Sequence, residues 1–283
     1  MLIAAVLAWS LNLLVGYAGL TSLGHAAWAG LAAYFSAWFA LRLGMGHLPS
    51  SLAALAATTL AAALLGLVAL RASGLGFLMI TLAIGQVLWG LAFRWVAVTN
   101  GDNGLSGLTR PAPFGIDLNG ARAFYYFALA VTGLTAAAMA LIAGSAFGAL
   151  LRGTRDQPRR MSALGHNVWL VRYLAFVTAG FFGAVSGLLF IYYNKYVHPQ
   201  SLSLTSSAEV LLMVIAGGSG TLAGPLVGAA VVVLLKSWVS SFVERWTMLL
   251  GFVFVLIVIF MPDGLVPGAQ RLRERLAAWR EAP

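Results

Sequence analysis

Apolar residues fall in long runs, separated by short links rich in glycine, proline and polar residues. A membrane-spanning helix needs about 20 mostly apolar residues. Runs of that kind cover roughly residues 2–20, 23–42, 48–70, 74–98, 123–143 and 173–193. A further apolar block, 208–240, is too long for one span, and Gly217, Gly218 and Gly220 interrupt it, so it reads as two shorter helices. The last run, roughly 246–261, stops at Pro262-Asp263-Gly264. The pattern predicts an all-α polytopic transmembrane helix bundle of about nine spans, within bounds of eight and ten. It also predicts a single transmembrane domain over 1–283, a cytoplasmic loop at 150–168 and a basic tail at 268–283.

Composition agrees. Of 283 residues, 61% are hydrophobic and only 9% charged, whereas a soluble domain has about a quarter charged. Eight acidic residues cannot coat a water-facing surface of this size. The net charge of +9 does not indicate nucleic acid, because the basic residues sit between and after the apolar runs. They read instead as topology signals, since cytoplasmic loops are enriched in Lys and Arg. The 152–172 loop and the 271–280 tail are therefore expected inside, and the polar 99–122 loop and the N-terminus outside. No basic segment precedes the first run, which argues against a cleavable signal peptide. Cysteine is absent, which removes disulfides, thiolate metal sites and a cysteine nucleophile.

Polar residues inside the apolar runs must find partners or line a cavity. Asn12, Ser22, His25, Thr81, Gln86 and Glu209 are such residues. Each has a plainer reading. Asn12 and Gln86 can join helices by hydrogen bonds, and Ser206-Ser207-Ala208-Glu209 fits a capping box with Ser206 as N-cap. Two glycine-rich breaks stand out. One runs Gly16-Tyr17-Ala18-Gly19 to Gly24-His25; the other runs Gly217-Gly218-Ser219-Gly220 to Gly224-Pro225. Aligned at Gly16 and Gly217, both repeat glycine three residues on, at Gly19 and Gly220. Matched helix breaks point to a transport path; tight turns with close helix packing are the alternative. Gly183–Gly187 and Gly224–Gly228 have the small-xxx-small spacing that permits such packing.

The 152–169 stretch predicts a short amphipathic helix, with Asp156 as its cap, Pro158 in its first turn and Gly165 as its left-handed stop. Met161, Leu164 and Val168 would form its apolar stripe. Such a helix either lies on the anionic leaflet or docks into a groove of a soluble partner. Nothing points to catalysis. The two lysines, Lys195 and Lys236, follow Asn194 and Leu235, so no phosphate-cradling G-x-x-x-x-G-K-[ST] loop exists. The four histidines are scattered, and no metal site or catalytic residue is expected.

Residues 11–27 and 209–225 resemble the two signatures of permeases from branched-chain amino acid ABC importers. Ala163-Leu164-Gly165 resembles the alanine-x-glycine core of ABC permease coupling loops, although Arg160-Met161-Ser162 stands where an acidic residue is typical. The 100–107 loop and Gly165-His166-Asn167 resemble the M-type chain of the family rather than its H-type partner. The resemblance spans about 9–262. It implies a permease half that pairs with a homologous second permease in the lipid bilayer. Two ATPase subunits would hold ATP and magnesium, a periplasmic substrate-binding protein would deliver the ligand, and this chain would carry no cofactor and bind no nucleic acid. It implies path roles for Asn12, Gly16, Tyr17, Gly19, Ser22, His25 and Glu209, to which Gln86, Gly217 and Gly220 are added from the residue pattern. It implies ATPase coupling by Arg159, Arg160, Met161, Ala163, Leu164, Gly165 and His166. An ion-coupled carrier with Glu209 and His25 as coupling groups is the competing expectation. Urea, amides or aromatic acids are the competing substrates within the same family.

Overall fold

The computed structural model describes residues 1–110 and 118–239, and beyond them residues 248, 251–252, 255, 259, 264–268 and 271. The final span at 246–261 and the basic tail at 268–283 lie largely outside the described residues.

Helix α1 (Leu2–Asn12) continues through one π-helical turn, Leu13–Ala18, and ends at Gly19, whose φ is 69°. The following helices are α2 (Ala26–Arg42), α3 (His47–Ala69) and α4 (Leu75–Arg94), the last trailed by a single turn, α5 (Val96–Thr99). Then come α6 (Ala121–Gly144), α7 (Ala146–Asp156), α8 (Pro158–Ala163), α9 (Val168–Asn194), α10 (Leu204–Gly217) and α11 (Gly224–Val239). Four described helices, α3, α4, α6 and α9, are long and apolar enough to cross a membrane; the Leu2–Ala18 segment, α10 and α11 are shorter apolar helices. The block at 208–240 does divide in two, as its glycines require.

Helix α9 is the central post. Its 27 residues span about 40 Å. Asn167 Oδ1 caps it by accepting from the Leu170 amide at 3.0 Å, and Lys195, at φ 59°, ends it. Helix α3 meets it along Ala54, Thr58, Ala62 and Gly66, a small-residue stripe at i, i+4 spacing. That stripe lets the backbones approach: Phe176 packs on Gly66, and Ala62 packs on Gly180. The opposite face carries Leu52, Leu60, Leu64 and Leu67, exposed as a lipid-facing surface requires. The same division recurs on α6, with Phe124, Ala128, Thr132 and Met139 inward and Tyr126, Leu134 and Leu141 outward.

The two polar links meet at one end of the bundle. A two-residue strand β1 (Leu105–Ser106) pairs antiparallel with β2 (Tyr196–Val197). Arg110 then closes the end of α9, donating to the carbonyls of Tyr192 at 3.2 Å and Tyr193 at 3.4 Å, with its guanidinium 4.6 Å from the centre of the Phe124 ring. At the other end, Leu151 of α7 packs into one cluster with Tyr17, Leu70 and Val171.

Three local expectations are corrected. Helix α10 begins a turn earlier than the capping-box reading places it: Ser203 Oγ is the cap, accepting from the Ser206 amide at 3.2 Å, so Glu209 sits beyond the first turn. Asp156 does not cap α8; it ends α7 and pairs with Arg155 at 2.8 Å, leaving Gln157 at the cap position and Pro158 at the first helical one. Met161, Leu164 and Val168 do not share one helix, because Gly165 at φ 86° ends α8 and Val168 begins α9.

Candidate translocation and coupling sites

The two glycine breaks, about 200 residues apart in sequence, touch in the fold. Asn12, in the last turn of α1 and buried, bridges them. Its Nδ2 donates to the Thr221 carbonyl at 2.9 Å, and its Oδ1 accepts from the Gly220 amide at 2.9 Å. Gly16 packs directly on the Gly220 backbone, so a side-chain carbon there would overlap it. Trp9, one turn before Asn12, donates from Nε1 to the Leu222 carbonyl at 2.7 Å. The shared glycine spacing also has a shared geometry: Gly19 and Gly220 both take positive φ, 69° and 80°. Breaks in membrane helices strand backbone groups that only protein or trapped water can satisfy. Here Asn12, Trp9 and Arg155 fill that need, and Arg155 Nη1 supplies the Gly16 carbonyl.

Arg155 belongs to the loop beneath. Its aliphatic stem lies against Gly19, where only glycine leaves room. From the preceding turn of α7, Arg152 donates to the Ala143 carbonyl at 2.8 Å and stands 6.0 Å above the centre of the buried Tyr17 ring. Arg172 of α9 donates to the Thr154 carbonyl at 3.3 Å and ties the end of α7 to the central post. Sequence reasoning gave Arg159 and Arg160 a coupling role but noticed Arg152, Arg155 and Arg172 only as charge. The signal for Arg155 was its place one residue before the Asp156-Gln157-Pro158 turn, which fixes it at the hinge between α7 and α8.

The remaining path candidates divide. Ser22 and His25 are buried near the first break. His25 Nε2 lies 2.7 Å from Ser10 Oγ, and its Nδ1 has no hydrogen-bond partner among the described residues. Next to it, the Ala26 amide donates to Ser207 Oγ at 3.2 Å, tying α2 to α10. Ser10 and Ser207 escaped the sequence reading because small hydroxyls in apolar runs are common. Gly217 packs against Gly224 and Gly228 and sets the close approach of α10 and α11. Gln86 is half-buried on α4, and no hydrogen bond joins it to the other candidates; its neighbour Gly85 packs on Gly24. Glu209 is also apart: both carboxylate oxygens accept from Lys236 Nζ of α11, at 3.0 and 2.9 Å. Sequence reasoning weighed Lys236 only as part of a missing phosphate loop.

The coupling candidates form one exposed knob. Arg159, Arg160, Ala163, Leu164, Gly165 and His166 are exposed, Leu164 at 66% of its surface, and no residue of α8 is buried. Met161 alone turns inward, its sulfur against Gly153 of α7. The knob ends in a Schellman motif: the Gly165 amide donates to Ser162 at 3.0 Å and the His166 amide to Met161 at 3.1 Å. That motif needs the left-handed Gly165. The result is a rigid, basic-rimmed apolar tip held out from the bundle.

Comparison with known proteins identifies the family of the chain. The family model described as the branched-chain amino acid transport system permease component matches residues 1–261. The chain is 25% identical to the high-affinity branched-chain amino acid transport system permease protein LivM of Salmonella typhimurium, and 27% identical to LivM of Escherichia coli. Each match covers 94% of this chain and 68% of the relative. No solved structure matches. With its long apolar helices and a family match over nearly its whole length, the chain is a multi-pass membrane protein and belongs to the branched-chain amino acid transport system permease family.

Proposed function

We propose that the chain is the transmembrane permease subunit of an ABC importer in the bacterial inner membrane, moving branched-chain or similar small amino acids inward. Its partners on this reading are a homologous second permease, two ATPase subunits that hydrolyse ATP with magnesium, and a periplasmic substrate-binding protein. The substrate class rests on the names of the two relatives. The division of labour rests on the sequence, which has no phosphate-cradling loop and so leaves hydrolysis to other chains.

One observation carries the reading: the α7–α8 arm. It holds Leu164, rimmed by Arg159 and Arg160, outside the bundle on a helix whose end is locked by Gly165. A self-sufficient carrier has no use for such an arm, whereas a permease driven by separate ATPases needs one rigid surface for them to grip. Glu209 fits the ion-coupled reading less well, because its carboxylate is already neutralised by Lys236. The path would run beside the joined glycine breaks, where buried Asn12 ties the first break to Gly220 and Thr221, with Ser22 and His25 buried close by in sequence. A tagged copy, extracted gently and analysed by mass spectrometry, tests this. Recovery of a second permease and ATPase subunits is expected. Recovery of this chain alone, with uptake intact in liposomes, would overturn it.

A further inference from the structure

We propose that Arg155 is the positioning residue through which the ATPase-facing arm drives both glycine breaks; the proposal rests on the importer reading above. Three contacts carry it. First, Arg155 lies one residue from the end of α7, so the Gln157 turn joins it directly to α8. Second, its Nη1 donates to the Gly16 carbonyl at the end of the first transmembrane segment. Third, the same nitrogen comes within 3.5 Å of the point where a Gly220 side chain would start, and its stem fills the gap beside Gly19. One side chain therefore reaches the arm and both breaks.

The Arg155–Asp156 ion pair lies at the surface; what makes Arg155 a lever is its hold on the Gly16 carbonyl and the fixed elements around it. Asp156 accepts from Arg155 Nε at 2.8 Å and orients the guanidinium. Asn12 locks Gly220 and Thr221 to the end of α1, so the two breaks move as a unit. Arg172 fixes Thr154 to α9, which makes the end of α7 a pivot. A tilt of α8 by an attached ATPase is then delivered through Arg155 to the Gly16 carbonyl, at the point where α1 ends in a π turn instead of a regular helix. No residue of α8 is buried in the bundle, so the route from the arm to the breaks runs through Arg155 in the last turn of α7.

The test uses the complete transporter in proteoliposomes, with uptake of labelled leucine and ATP hydrolysis measured on the same vesicles. Arg155 does not belong to the exposed face of α8. Arg155→Gln is therefore expected to leave complex assembly and hydrolysis near wild type, while leucine taken up per ATP falls about tenfold or more. Arg155→Lys, which keeps a cation but cannot hold Gly16 and Asp156 together, is expected to give an intermediate ratio. Uptake and hydrolysis falling in equal proportion would overturn the proposal, since Arg155 would then act only in docking. An unchanged ratio would overturn it too. If the glutamine variant does not assemble, the lysine variant decides by the same ratio. A wild-type complex without ATP-driven uptake would overturn the importer reading and this proposal with it.

Discussion

Asn12 is the residue on which most of the candidate path depends. A buried amide can donate and accept at once, and here it does both across two chain segments. Asn12→Ala strands the Gly220 amide and the Thr221 carbonyl and should cost about 1–3 kcal/mol. A lower Tm in detergent measures that loss; an unchanged Tm would show that the bridge carries little. At Glu209 the expectation is different. Removing Lys236 alone leaves the carboxylate without that partner in apolar surroundings, so Lys236→Met should destabilise more than the Glu209→Gln/Lys236→Met pair. Additive effects in the thermal melts of the single and double variants would contradict it. His25 contributes in another way: with Nε2 on Ser10 and Nδ1 without a partner among the described residues, it is a fully buried polar group with spare capacity.

At the scale of elements, the bundle joins close backbone approach at small residues to clusters of large side chains such as Trp28, Phe77 and Phe176. Lipid tails are as apolar as leucine, so helices in a membrane associate through tight packing, and small residues permit it. Gly228 lies on the Met213 carbonyl and Gly187 on Ala29. Gly228→Leu should therefore force α11 off α10 at a cost of roughly 1–3 kcal/mol. Loss of the monodisperse peak on size exclusion at raised temperature is the measurement. For the arm, Gly165→Val places a β-branched residue at φ 86°, a conformation that side chains resist. The Schellman end of α8 should open, and uptake should be lost while the protein stays in the membrane. Retained uptake would remove the arm from the mechanism. These element-level features were partly legible. The split of 208–240, the left-handed role of Gly165 and the glycine packing pairs follow from residue type alone, because glycine is required by backbone geometry wherever the chain goes. The caps were not legible. Ser203 and Ser206 are equally good caps by chemistry, and the choice fell to the 3-10 turn Pro199–Leu202, which delivers the chain to Ser203 already extended. Asp156 lost its expected role because α7 runs through it, which leaves Gln157 at the cap position of α8.

The whole molecule joins a lipid-facing shell to a polar seam. Helices α3, α4 and α6 turn large apolar side chains outward, and α1, α2, α9 and α10 enclose Ser10, Asn12, His25 and Ser207. The hydrophobic pattern reveals the shell, since lipid imposes the same demand on every span. It does not reveal which polar residues meet, because contact between residues such as Asn12 and Gly220 is set by the packing of helices that are far apart in sequence. That is why both glycine breaks could be found, and aligned, without any sign that they bind each other. It is also why Arg155 read as one more positive charge. Seen in the fold, the basic loop, the breaks and the post form one connected path from an exposed tip to the buried seam.

The most direct test of that account is leucine uptake by proteoliposomes holding this chain with its co-purified partners, with ATP inside or withheld. The account predicts uptake that requires ATP and the binding protein, and that isoleucine and valine suppress. Uptake by this chain alone, driven by an ion gradient and indifferent to ATP, would contradict it.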